Sequence, residues 1–198
     1  MNRVRFKIIL VALTLTFIFS ACRRNETSEN FDILDFSDDT TEAAELVSEA
    51  NENLNKIKVM YKQNEAHREE LVHAMSEKDV EKVKKITDDL VYTINDGMRL
   101  GEEAVEKIGK ARQKNINADF KEYLSLKEES LEKQLEAFEN LRQAVRILRD
   151  SFGTNDPKQI EQGKNVFREK DESFVKTMAA AKEISKKANE LAKESSKK

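Results

Sequence analysis

Residues 118–157 read ADFKEYLSLKEESLEKQLEAFENLRQAVRILRDSFGTNDP. Phe120, Leu124, Leu131, Leu135, Phe138, Leu141, Val145, Leu148 and Phe152 recur at steps of three, four and seven, with Lys127 filling one slot of the series. That period places all of them on one side of a helix, whereas a half-buried strand would alternate apolar and polar residues. The stretch ends in Gly153-Thr154-Asn155-Asp156-Pro157. Gly is suited to ending a helix, Asp to capping the next one, and Pro to its first position.

The same period continues in both directions. Downstream, Ile160, Phe167, Phe174, Met178, Ala181, Ile184, Ala188 and Leu191 form one stripe. Upstream, Asn115-Ile116-Asn117 is a polar break. Before it, Val80, Val83, Thr87, Leu90, Ile94, Gly97, Gly101, Ala104, Ile108 and Ala111 share a face. Ser76-x-x-Asp79 reads as the start signal of that helix, and Asp39 with Glu42 as a capping box for the first. The first stripe runs through Val47, Ala50, Leu54, Ile57, Tyr61, Asn64, Leu71 and Met75, with Arg68 in one slot. The spacing therefore predicts an all-α fold with helices over about 40–75, 77–114, 117–152 and 157–195. Each is about 50 Å long at 1.5 Å per residue. Joints of a few residues make sequential helices antiparallel neighbours. Residues 40–198 are expected to form an antiparallel up-down-up-down four-helix bundle with long, coiled-coil-like helices. An open pair of hairpins that dimerises is the alternative.

Composition agrees. Charged residues make up 37%, there is no Trp, and Gly and Pro together number six among 198 residues, which suits long solvated helices. Ten acidic and no basic residues lie between Asn25 and Asn55, whereas Lys182–Lys198 holds six lysines against three glutamates. Each segment suits its own helix dipole. In an up-down-up-down bundle the two also meet at one end and complement each other. With a net charge of −3, no basic excess is present for nucleic-acid binding.

The beginning of the chain has a different character. Arg3, Arg5 and Lys7 precede the apolar run Ile8–Phe19, and small Ser20 and Ala21 follow it. A basic start, a short apolar core and small residues mark a secretory signal over residues 1–21. The run is shorter than the roughly 20 residues a spanning helix needs. Cys22 is the only cysteine of the chain, and it stands directly after this segment.

Phe19-Ser20-Ala21-Cys22 resembles the lipobox of bacterial lipoproteins, over residues 1–22 alone and with Phe19 where Leu is most common. The resemblance implies cleavage before Cys22, a diacylglyceryl group on its thiol, and a membrane partner through that anchor. Two or more acyl chains give stable anchoring where one is marginal. It also implies a place in the bacterial cell envelope, with Arg23 compatible with the outer membrane. The mature chain would be 177 residues, and losing Arg3, Arg5 and Lys7 takes its formal charge to −6. Residues 22–39 then form the lipidated cysteine and a flexible acidic tether of roughly 25 Å average span. Within it, FDILDF at 31–36 is too apolar for an idle linker. It is expected either to fold back on the bundle or to serve as a linear motif for a partner.

No catalytic constellation emerges. Glu70-x-x-His73 has the spacing of a di-iron ligand pair, but His67, the only other histidine, is preceded at that spacing by Asn64. The metal ligands that a bundle site needs are thus incomplete, and both Glu70 and His73 fall away from the core stripe. No C-x-x-C-H haem motif, Gly-x-Ser-x-Gly turn or Gly-rich phosphate loop is present, because Gly97 and Gly101 sit inside a helical pattern. The reading expects no enzyme, no cofactor and no metal. Gly97, Gly101 and Gly163 are expected to admit a neighbouring helix, with a pocket as the alternative. Asn64, His67 and Arg68 form a polar band that serves register control or lines a polar pocket. The functional expectation is a membrane-anchored, non-enzymatic module for protein interaction or structure, with an envelope protein or a second copy as partner. The alternative is a sensor-like, chaperone-like or small-ligand-binding bundle.

Overall fold

The computed structural model describes residues 39–195. The signal segment, Cys22, the tether and its FDILDF stretch lie outside the described residues. Four helices follow one another: α1 (Thr40–Glu77), α2 (Val80–Arg112), α3 (Ala118–Gly153) and α4 (Pro157–Ser195). Among the described residues there is no strand, so the protein is all-α.

The helix ends show which local signals were used. Asp39 does not cap α1 with its side chain; instead its Oδ2 accepts the backbone N–H of Asn115 at 2.8 Å, tying the start of α1 to the end of α2. The α2 cap is Asp79, which accepts from the Lys82 N–H. Ser76 instead lies in the last turn of α1, donating to the His73 carbonyl, and α2 begins three residues later than expected. Asn117 caps α3 through the Phe120 N–H, and neighbouring Ile116 is buried. Gly153 remains within α3 without a left-handed backbone, and Asn155 takes that conformation at φ 56°. Asp156 accepts the Lys158 N–H at 2.9 Å to start α4 at Pro157.

Sequential helices run antiparallel. Glu49 pairs with Lys107 across α1–α2. Arg112 meets Glu128 at 2.8 Å and Arg149 meets Asp88 at 3.1 Å, at opposite ends of α2–α3. Ser130 Oγ donates to the Ala181 carbonyl at 2.9 Å across α3–α4. The acidic start of α1 is thus met by Lys107 of α2 and by Lys114 just past its end, whereas the expected partner was the basic end of α4. That end is instead anchored by Ser195, which donates to Asp119.

The core has three parts. Ala43, Ala50, Ala104, Ile108, Phe120 and Leu124 fill the end where α1 begins, using α1, α2 and α3. Val91, Ile94, Phe138, Val145 and Phe174 fill the middle from α2, α3 and α4. At the far end Leu71, Val83, Leu148 and Phe152 are joined by Phe167, so all four helices contribute. Among the described residues α1 packs on α2, α2 on α3 and α3 on α4, and no α1–α4 helix pair forms. The fourth side of the expected bundle is therefore not closed by backbone packing.

A small-residue seam explains where α4 goes. Ser130, Ala137, Ala144 and Ser151 repeat every seven residues on α3 and are all buried, the period that keeps one face against a partner helix. Opposite them α4 buries Gly163, Phe174, Ala181 and Ala188. The approach is closest at Gly163, where a Cβ would lie 2.0 Å from Ser151 Oγ and 2.4 Å from its Cβ. α2, between two neighbours, buries Ile86, Val91 and Leu100 in addition to most of the stripe read from its sequence, of which Val80 and Leu90 are half-buried.

Gly163→Ala is expected to destabilise the fold by about 1–3 kcal/mol, because overpacking outweighs the gain in helix propensity. Ser151→Gly in the same chain should recover part of that loss, as a urea-unfolding double-mutant cycle would show. Lys78 closes α1 with φ 59°, a conformation that costs a residue with a Cβ about 1–2 kcal/mol. Lys78→Gly should therefore raise stability by about 1 kcal/mol in the same assay.

Candidate functional site

The polar band of α1 was one sequence-derived candidate. The side chains of Asn64 and Arg68 lie outside the described residues. His67 is half-buried, and its Nδ1 lacks a hydrogen-bond partner, lying 3.9 Å from Glu70 Oε2. His73 is exposed and pairs with Glu77 at 3.0 Å. No group of three or more His, Cys, Asp or Glu side chains among the described residues could hold a metal ion. No helix among them is long and apolar enough to cross a membrane. Asn53 of α1 is buried, 7% exposed, and its Nδ2 donates to Glu103 Oε2 at 3.0 Å. Glu103 is held in turn by Arg99, which also bonds Asp96. The half-buried Asn53–Glu103 pair joins α1 to α2 in one register.

The glycines resolve into two cases. Gly97 and Gly101 border a small space with Leu54, Ile57, Leu131, Gln134, Leu135 and Phe138, between α1, α2 and α3. Its volume of about 10 Å³ is at the lower limit for a single water, and its mostly apolar lining offers a water few partners. His67 does not border it, so glycines and histidine do not form a shared polar cavity. At Gly101 a Cβ would lie 2.7 Å from Leu135 Cδ2, which makes it a packing glycine. At Gly97 a Cβ meets nothing within 4 Å.

Several charged groups on the surface are tied across helix contacts. Lys107 is paired with Glu49 of α1, and that hydrogen bond holds its pKa above the ordinary lysine value. Arg149 bridges Asp150 and Asp88, and hydrogen bonds to those carboxylates raise its pKa, Asp150 contributing most. With Lys84, Gly153 and Thr154 these groups line an open depression at the α2–α3 edge. Of its two cations, Arg149 is already neutralised by Asp88 and Asp150.

Lys127 differs. It stands on the apolar stripe of α3, half-buried, and its ammonium donates to Asn51 Oδ1 of α1 at 2.9 Å and to the Tyr123 hydroxyl at 3.2 Å. It also lies 5.6 Å from the centre of the Tyr123 ring, which stacks with Phe120. A lysine in an otherwise apolar series was the sequence signal for this cluster, and sequence reading had treated it only as a filled slot.

Gly97→Ala should stabilise the protein by about 1 kcal/mol through helix propensity and filled space. Gly101→Ala should gain less, because Leu135 has to move; thermal melts of the two variants would rank them. Comparison with protein-family models, curated proteins and solved structures finds no match to this chain.

Proposed function

We propose that the chain is a lipid-anchored protein of the bacterial cell envelope whose helical body is a non-enzymatic module for protein interaction or structure. The observation that carries this reading is the order of packing. Among the described residues α1 and α4 are edge helices that form no helix pair with each other, so the body presents long helical flanks, and the space beside Gly97 and Gly101 is of water size. Val59 and Val72 on α1 are exposed apolar side chains, each 53% accessible. In this reading the body is an up-down-up-down bundle whose α1–α4 side is left for an occupant, a second copy or another envelope protein. The lipobox-like segment ending at Cys22 supports the anchor.

The test has two arms. Wild-type protein is expected in the membrane fraction, with an intact mass that lacks residues 1–21 and carries an acyl increment, and Cys22→Ala is expected to lose that increment. A wild-type mass that retains residues 1–21 would overturn the anchor. Photo-cross-linkers placed at Val59 and Val72 in cells should give discrete, reproducible adducts, and their absence at both sites would overturn the interaction reading.

A further inference from the structure

Where α1 begins, the apolar cluster among the described residues is built from α1, α2 and α3, and α4 packs beside it on α3 through Ala181 and Ala188. Val47, Asn51 and Leu54 are spaced to share one face of α1, as Tyr123 and Lys127 share one face of α3. All five are half-buried. Asn51 and Lys127 join the two faces, so they form one surface strip, mainly apolar, with a single ammonium in it. The hydrogen-bond partners of that ammonium are both neutral. A partly desolvated cation favours a nearby carboxylate over neutral dipoles alone. The neighbouring end of α4 is basic, with Lys182, Lys186 and Lys187 exposed.

The chain enters α1 at this same end. Residues 31–39 read FDILDFSDD, with four aspartates, four large apolar residues and no basic one. Asp39 is fixed to Asn115 there. Asn51, twelve residues into α1, lies about 18 Å below Asp39 at 1.5 Å per residue. Extended chain running back from Asp39 covers about 13 Å to Asp35 and about 23 Å to Asp32 at 3.3 Å per residue. The two aspartates bracket the level of Lys127.

We propose that residues 31–36 of this chain fold back beside α1 and dock on the strip formed by Val47, Asn51, Leu54, Tyr123 and Lys127. Phe31, Ile33, Leu34 and Phe36 supply the apolar contact, and Asp32 or Asp35 supplies a carboxylate for Lys127. The segment then covers the α1–α4 side at the end next to Cys22. A partner that binds that side has to displace it; this consequence rests on the interaction reading, and the docking itself does not.

The full-length chain has no tryptophan, so Phe36→Trp gives a single reporter. Its emission should be blue-shifted and several-fold less quenched by acrylamide than in urea. Lys127→Gln should shift the emission to the red and restore quenching at unchanged helicity by circular dichroism, whereas Lys127→Arg should keep the shielded signal. If Lys127→Gln lowers helicity, Asp32→Asn with Asp35→Asn makes the same test from the other side and should expose the reporter. A reporter that is solvent-exposed in the otherwise wild-type chain, or unaffected by removal of either charge, overturns the proposal. Shielding that disappears on dilution assigns the segment to a second copy and overturns it as well.

Discussion

The close contact of α3 with α4 is the constraint on which the rest of the arrangement depends. Ser130, Ala137, Ala144 and Ser151 give α3 a flank with little side-chain bulk, and Gly163 lets the opposing backbone come within reach of Ser151. Many weak dispersion contacts accumulate along such a seam. The Ser130 hydroxyl adds a hydrogen bond to the backbone of the partner helix. With α4 held on this flank, the large side chains of α3 face α2 and, at both ends, α1, while Phe138 also meets Phe174 of α4. The position of α4 relative to α1 is a consequence of that division of α3 into two faces.

Polar interactions add register to this apolar scheme. Asn53 and Glu103 set α1 against α2 at a half-buried level, and Asp39 fixes the end of the same hairpin. Arg112 and Arg149 mark the two ends of the α2–α3 contact. Exposed pairs of this kind contribute little to stability individually. Their cost when mismatched still separates one register from another. Lys127 has two neutral partners, and it stands beside the cluster built from α1, α2 and α3.

The candidate residues show why side chains were harder to read than helices. Gly97 and Gly101 occupy one face, four residues apart, yet only Gly101 has a neighbour that a methyl group would strike. Asn53 and Asn64 are both asparagines in α1, and Asn53 is the one seen buried against a carboxylate of α2. Spacing within one helix gives the face of a residue; what stands opposite belongs to another helix. The small residues 130, 137, 144 and 151 were overlooked for a related reason. Serine and alanine carry almost no hydrophobic signal, and their importance comes from the space they leave.

The sequence by itself determined the four helices, their approximate ends and their antiparallel order, because period, caps and short joints are local properties of the chain. It also marked Cys22 and the residues before it as a distinct segment, through composition alone. Tertiary structure decided which helices touch. The apolar stripes are compatible with a closed four-sided bundle or an open row. The choice between them depends on how closely α4 approaches α3, which is set by side-chain volume at a distant seam. It also decided which cations are neutralised: Lys107, Lys114 and Arg149 find carboxylates across helix contacts, while Lys127 meets an amide and a phenol.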